Sequence, residues 1–226
     1  MLVDVDISEP ASLIGDPTRA AFLMALSERL SLPAGELARR AGVTPSTASI
    51  QLAKLVAGGL LTVEQHGRHR YYSLAEPAIA TAIESLAVIA PRRPASSLRQ
   101  ARIGSDLQAA RTCYDHLAGA LGVALFDALL QEGVLTPDLE ATRKGSRRLG
   151  ALGVDVEEVA EHRRAFARRC LDWSERRHHL AGALGAAIAT RFFELEWIER
   201  APSSRAVRIT EAGRIGLAHD LAIQLG

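Results

Sequence analysis

GELARRAGVTPSTASIQLAKLVAGGLL, residues Gly35 to Leu61, holds two short helical patterns around a tight turn. Leu37 and Ala38 mark an apolar face running to Gly42, a residue suited to end a helix, and Thr44-Pro45 supplies a cap and a first helical position for the next one. In that second helix Ala48, Leu52 and Leu55 fall on one face with Val43 just before them. Ser46, Thr47, Ser49, Ile50, Gln51 and Lys54 are left on the other face. Helix, Gly-containing turn, helix is the helix-turn-helix layout, and a short polar face on its second helix suits a DNA groove.

The flanks extend this pattern. Upstream, Asp16 and Pro17 predict a helix start, and Phe22, Leu23, Leu26 and Leu30 continue it to about Leu30 as an amphipathic helix. Downstream, LLTVEQHGRHRYYSL (Leu60 to Leu74) reads as two β-prone runs around a His-Gly-Arg turn, a wing that carries Arg68, His69 and Arg70. AIATAIESLAVIA, after Pro77, offers Ile79, Ile83, Leu86, Val88 and Ile89. That is more apolar surface than one small domain needs, so the helix is expected at a dimer interface.

DPTRAAFLMAL, GELARRAGVTPSTASIQLAKLVAGGLL and GRHRYYSL together resemble the ArsR-type winged-helix repressor family over about residues 13 to 90. The resemblance implies a homodimer on palindromic double-stranded DNA. Ser46, Thr47, Ser49, Ile50, Gln51 and Lys54 would then lie in or beside the major groove, with the wing over the backbone or minor groove. It also implies a sensing role, since many members respond to metals or metalloids. Two departures stand out. GELARRAGV lacks the cysteine pair that metalloid sensors of the family often carry there, and EPAIATAIESLAVIA lacks the His and Asp set of its zinc sensors.

Local charge supports nucleic acid as partner where net charge is silent, at +1 overall. From Leu37 to Tyr72 the bases Arg39, Arg40, Lys54, Arg68 and Arg70 face Glu64 alone. Such an excess releases counterions from phosphates, Gln51 and the hydroxyls can meet base edges, and Ile50 can touch a thymine methyl. For Arg39 and Arg40 a solvated helix face is the competing account.

The whole chain of 226 residues, 48% hydrophobic and 23% charged, fits two small globular domains with a core mainly of Leu, Ala, Val and Ile, since aromatics are only 4%. MLVDVDISEP has no basic-then-apolar leader and no long apolar run follows, so a cytoplasmic protein without membrane contact is expected. Cys113 and Cys170, the only cysteines, suit free thiols in a reducing compartment. The expected organisation is residues 1–90 as the winged-helix and dimerisation domain, 91–104 as a basic linker with Pro91, Arg92, Arg93 and Pro94, and 105–226 as a sensor domain.

The sensor domain contains an internal duplication, at about 106–150 and 170–226. Asp106–Glu132 and Ser174–Glu194 each read as one long amphipathic helix, carrying Leu117, Leu121, Leu125 and Leu129 in the first, and Leu180, Leu184 and Ile188 in the second, at an offset of 63 residues. Thr142-x-x-Gly145 and Thr210-x-x-Gly213 each start a capped helix. Trp197, Ile198, Val207 and Ile209 form a hairpin whose degenerate counterpart is GVLTPDLEAT. The fold class expected is therefore mainly α with small β-hairpins, a winged helix followed by two winged-helix-like repeats. Asp155 and Glu158, at capping-box spacing, start a further helix with a basic side of Arg163, Arg164, Arg168 and Arg169.

The repeated LAGALG places Gly119 with Gly122, and Gly182 with Gly185, as small faces for close helix packing. The residues before each copy carry the chemistry. Cys113 and His116, three apart, are expected on one helix face. Cys170, Asp172 and His178 or His179 are the candidates to complete a site for a transition-metal ion. Three accounts stay open here: a metal or thiol-redox centre, a small-molecule pocket using Tyr114, Trp173 and Arg176, and packing alone. The leading function is a ligand-responsive DNA-binding repressor and not an enzyme. An enzyme with Cys113 as nucleophile and His116 as base, and an interaction scaffold that does not bind DNA, are the alternatives.

Overall fold

The computed structural model describes residues 5–91, 98–202 and 204–224, and the chain forms two compact units, Met1–Ile83 and Glu84–Gly226.

The N-terminal unit runs α1 (Ser8–Gly15), α2 (Pro17–Glu28), β1 (Leu32–Pro33), α3 (Ala34–Ala41), α4 (Pro45–Ala57), β2 (Leu61–His66) and β3 (His69–Leu74). Asp16 caps α2 by accepting the amides of Thr18 and Arg19 at 3.0 and 2.9 Å. Gly42, at φ +66°, closes α3 in the left-handed region, and Thr44 caps α4 by accepting the Thr47 amide at 3.2 Å. The strands form a sheet in the order β1-β3-β2, with Leu61 opposite Leu74 and His66 opposite His69 beside the wing turn. Phe22, Leu23, Leu26, Leu37, Leu52, Leu55, Leu61 and Tyr72 make the core. The helix expected to reach Leu30 stops at Glu28, leaving Leu30 exposed. Helix α1 and strand β1 are additional to the sequence reading.

Helix α5 (Pro77–Ile89) spans the division between the units, which falls between Ile83 and Glu84 rather than in the expected linker 91–104. Part of that linker is helix, because α6 covers Leu98–Ala109. Arg92, Arg93 and Pro94 lie outside the described residues, as does Ser203 in the turn of the last hairpin.

In the C-terminal unit, α6 is followed by β4 (Arg111–Cys113), β5 (His116–Ala118), α7 (Gly119–Gln131), α8 (Arg143–Ala151), α9 (Val156–Ala160), β6 (Arg168–Leu171) and β7 (His178–Ala181). Then come α10 (Ala183–Glu194), β8 (Ile198–Arg200), β9 (Val207–Ile209) and α11 (Glu211–Leu221). The two long helices of the sequence reading are thus corrected. Each is a β-hairpin feeding a shorter helix, and a glycine stands at the joint: Gly119 at φ +75° and Gly182 at φ +92°. The leucine line misled because Leu117 and Leu180 belong to strands whose inward face continues into the helical stripe.

Like elements recur in the same order in the two halves of this unit. Hairpin β4–β5 corresponds to β6–β7, α7 to α10, and α8 to α11. Leu135 bridges Ala141 where β8 pairs β9 in the second copy. Thr142 and Thr210 cap α8 and α11, each accepting a glycine amide at 2.9 Å. Both copies share one core, in which Leu117, Leu121, Leu125 and Leu129 meet Leu180, Leu184 and Ile188. The basic helix expected beyond Asp155 ends at Ala160. Arg168 and Arg169 lie in β6, and Arg164 pairs with Asp115 at 2.5 Å.

Candidate functional site

On α4 the buried line Ala48, Leu52 and Leu55 seats the helix, and Ser46, Ser49, Ile50 and Lys54 stand exposed on its outer side, Ile50 by 59%. Thr47 and Gln51 are half-buried. The Thr44 hydroxyl lies 2.9 Å from those of both Ser46 and Thr47, so the cap also orients the first turn of this face. Arg68, His69 and Arg70 are exposed at the tip of the wing, where Gly67 takes φ +60°.

Two details differ from the sequence reading. Gln51 has a partner within the fold: its Oε1 accepts from Arg19 Nη1 at 2.8 Å. Arg19, nearly buried, also donates to the carbonyls of Leu13 and Ser12 at 2.7 and 2.8 Å. Arg19 thereby ties α1, α2 and α4 together, a role with no mark in the sequence. Arg39 pairs with Glu36, and Arg40 with Glu36 and Glu28, so the positive excess counted from Leu37 is partly neutralised by acids just outside that window.

In the C-terminal unit, Cys113 and His116 are cross-strand partners that flank a two-residue turn. Cys170 and His179 are the corresponding partners in the second hairpin. Three-residue spacing fits a helical turn and a tight hairpin alike, and the hairpin is what forms. The duplicated packing brings both pairs together: one ligand atom from each of Cys113, His116, Cys170 and His179 lies within 4.8 Å of every other. The imidazole centroids are 5.1 Å apart.

The two histidines share a pattern. His116 Nδ1 donates to Asp115 Oδ1 at 3.2 Å, and His179 Nδ1 stands 3.4 Å from Asp172 Oδ2. Both residues are buried, and Nε2 of each, together with Nδ1 of His179, has no hydrogen-bond partner among the described residues. A buried nitrogen without a partner costs about 1–3 kcal/mol, so three together mark a built position.

Asp172 was a candidate ligand, and the structure gives it another task. Its carboxylate accepts from Arg111 Nη2 at 2.9 Å, the Gly119 amide at 2.7 Å, and the amide and hydroxyl of Ser174 at 2.9 and 2.7 Å. Although burial pushes it up, contacts with His179, Arg111 and Ser174 hold its carboxyl far below the usual range. Arg111 stacks on Trp173 with its guanidinium carbon 4.8 Å from the ring centre.

His178, on the opposite face of β7, points to solvent and does not join the four. Tyr114 is exposed in the first turn at φ +60°. Arg176 is exposed in the second, its guanidinium 3.4 Å from the Ala90 carbonyl oxygen, so the three suggested pocket residues occupy separate turns and a stack.

The Cys113 thiol donates to Glu84 Oε2 at 3.0 Å, and Glu84 is paired with Arg205 at 2.7 Å. The adjoining Cys170, burial and the Glu84 charge all push Cys113 up, whereas Cys113, His116 and His179 pull Cys170 well below the ordinary thiol range. Arg111 and Glu84, which help frame the four, were missed by sequence reasoning, whereas Asp115 and Ser174 fall inside the stretches before each repeat that it singled out. Arg111 stands two residues before Cys113 in the sequence, and Glu84, 29 residues before it, carries no local signal.

A winged helix with an exposed, capped recognition helix defines a DNA-binding protein, and the comparisons agree. A family model described as a helix-turn-helix domain matches residues 14–64. A Bacillus subtilis (strain 168) protein, named as the uncharacterized HTH-type transcriptional regulator YdfF, is 46% identical over 223 residues, which is 97% of this chain and 99% of that protein. The chain belongs to the HTH-type transcriptional regulators. The regulator CmtR of Mycobacterium tuberculosis is 37% identical over 73 residues, 32% of this chain and 61% of its own, in keeping with the ArsR-type likeness. An NMR structure titled as the cadmium metal-sensor CMTR from the same organism is 29% identical, covering 41% of this chain and 99% of that one at a TM-score of 0.32. Among the described residues no helix is long and apolar enough to cross a membrane.

Proposed function

We propose that this regulator is a ligand-responsive repressor that binds an inverted-repeat operator as a homodimer, with its C-terminal unit as the sensing part. The observation that carries the DNA contact is the outer face of α4. Ser46, Ser49, Ile50 and Lys54 stand clear of the fold while Leu52 and Leu55 fix the helix beneath them. Lys54 and the wing arginines supply phosphate contacts, the hydroxyls and Ile50 supply base contacts, and α5 carries the apolar surface for pairing of two chains.

Burial of Cys113 and His116 supports leaving aside the nucleophile–base pair, because a buried thiol pushed up by its neighbours is the reverse of an activated one. Selection from a random duplex pool tests the reading. Enriched sites are expected to be inverted repeats with half-sites about 10 base pairs apart, and their affinity should fall steeply with salt. Failure of any duplex to be enriched at low salt overturns it.

A further inference from the structure

We infer that Cys113, His116, Cys170 and His179 hold one zinc-class ion in a closed tetrahedral site. This deepens the reading of the C-terminal unit as a sensor, on which its regulatory consequence rests.

The donor set is two sulfurs and two imidazole nitrogens, the mixture that borderline d10 cations take with tetrahedral geometry. Metal–sulfur and metal–nitrogen bonds of about 2.3 and 2.0 Å set ligand atoms roughly 3.3–3.8 Å apart in a tetrahedron. The four donors already lie within 4.8 Å of one another, so closure onto an ion asks for about an ångström. Hairpin geometry does the gathering. Each Cys–His pair faces its partner across a ladder, and the duplicated fold sets one pair against the other.

Independent support comes from the histidines. Both are buried and both leave Nε2 without a partner among the described residues; His116 Nδ1 is hydrogen-bonded to Asp115 at 3.2 Å, and His179 Nδ1 has the Asp172 carboxylate 3.4 Å away without a hydrogen bond formed. At His116 a carboxylate holding the proton on Nδ1 leaves the Nε2 lone pair for a cation, and at His179 both ring nitrogens are left without a hydrogen bond. Binding would release the protons of whichever thiols still carry them, and the two thiolates would neutralise a divalent charge in a buried place. With four protein ligands and no open vertex, the ion binds and does not catalyse.

The experiment uses the full-length reduced protein, freed of metal, with cobalt(II) as the optical probe and zinc(II) as the competitor. One equivalent of cobalt should give tetrahedral ligand-field bands and a thiolate charge-transfer band, both erased by one equivalent of zinc. Cys113→Ser and Cys170→Ser should each weaken the charge-transfer band, and His116→Gln should lower cobalt affinity at least tenfold. Because a variant can misfold, wild-type thiol alkylation is read as well: zinc should slow modification of both cysteines. Octahedral cobalt spectra, alkylation unchanged by zinc, or a Cys113–Cys170 disulfide in place of metal each overturns the site.

Operator affinity measured in the same preparation separates the two readings. A change of at least fivefold with zinc supports the ion as effector, and unchanged affinity with the cobalt bands intact overturns that role. Cobalt binding without any operator binding overturns the DNA reading alone.

Discussion

A methyl group added at Gly185 would stand 3.2 Å from His116 Cβ, and one added at Gly122 would stand 3.5 Å from His179 Cβ. The relation is reciprocal: the glycine in each helix's first turn receives the histidine of the other copy. LAGALG is therefore a packing motif, and what it packs against is the cluster of ligating side chains.

Gly185→Ala should accordingly damage both fold and site. Besides His116, the new Cβ would lie 2.6 Å from the Leu180 carbonyl oxygen, a backbone atom that cannot swing aside. A loss of about 1–3 kcal/mol is expected in denaturant unfolding of the C-terminal unit, with weaker cobalt binding. Gly150→Ala serves as the contrast. Nothing lies within 4 Å of that position in α8, so stability should rise by up to about 1 kcal/mol. Equal effects from the two substitutions would sink the packing argument.

Asp172→Asn keeps the shape of the side chain and removes the charge that faces the fully buried Arg111. An uncompensated buried guanidinium is costly, so unfolding free energy should fall by about 3–5 kcal/mol. His179 loses its carboxylate as well, and metal affinity should drop about 10- to 100-fold in protein that remains folded. Unfolding curves and zinc competition on the same samples check the two effects. A variant as stable as the parent would show that the Arg111–Asp172 pair contributes nothing.

The winged helix was legible because its elements are short and locally signalled: Asp16 and Thr44 as caps, Gly42 as a stop, and Gly67 at the wing turn. The correspondence of elements between the two halves of the C-terminal unit was legible too, since Leu121 and Leu184 or Thr142 and Thr210 recur in register. What escaped was the hairpin before each repeated helix, because the apolar side of a strand ending at Leu117 or Leu180 runs in phase with the stripe that follows. Cys113 and His116 were paired on a helix face in the sequence reading, and they are paired across a ladder in the structure. Residues that act through long-range contacts, Arg19 with Gln51 and Arg111 with Asp172, leave no local pattern to find.

Arg68→Ala and Arg70→Ala test the wing. Both side chains are exposed, so neither change should alter unfolding by more than about 0.5 kcal/mol. If each neutralises a phosphate, each should lower the slope of log affinity against log salt by about 0.9, weakening all DNA sequences alike. Fluorescence anisotropy over a salt series measures this, and an unchanged slope removes the wing from the interface.

Gln51 gives the sharpest division between holding the helix and reading DNA. Its Oε1 accepts from Arg19 at 2.8 Å, so Gln51→Ala deprives a nearly buried guanidinium of a partner and should cost about 1–3 kcal/mol of stability. Gln51→Glu supplies a charged acceptor in the same place and should leave the N-terminal unit at least as stable, because a hydrogen bond to an ionised partner is the stronger kind. The same carboxylate on α4 faces phosphates unfavourably, so operator binding should weaken across all sequences in a protein that has lost no stability. Thermal unfolding and anisotropy on both variants decide it: if Gln51→Ala is as stable as the parent while losing preference among operators, Gln51 reads bases directly and the Arg19 contact is incidental.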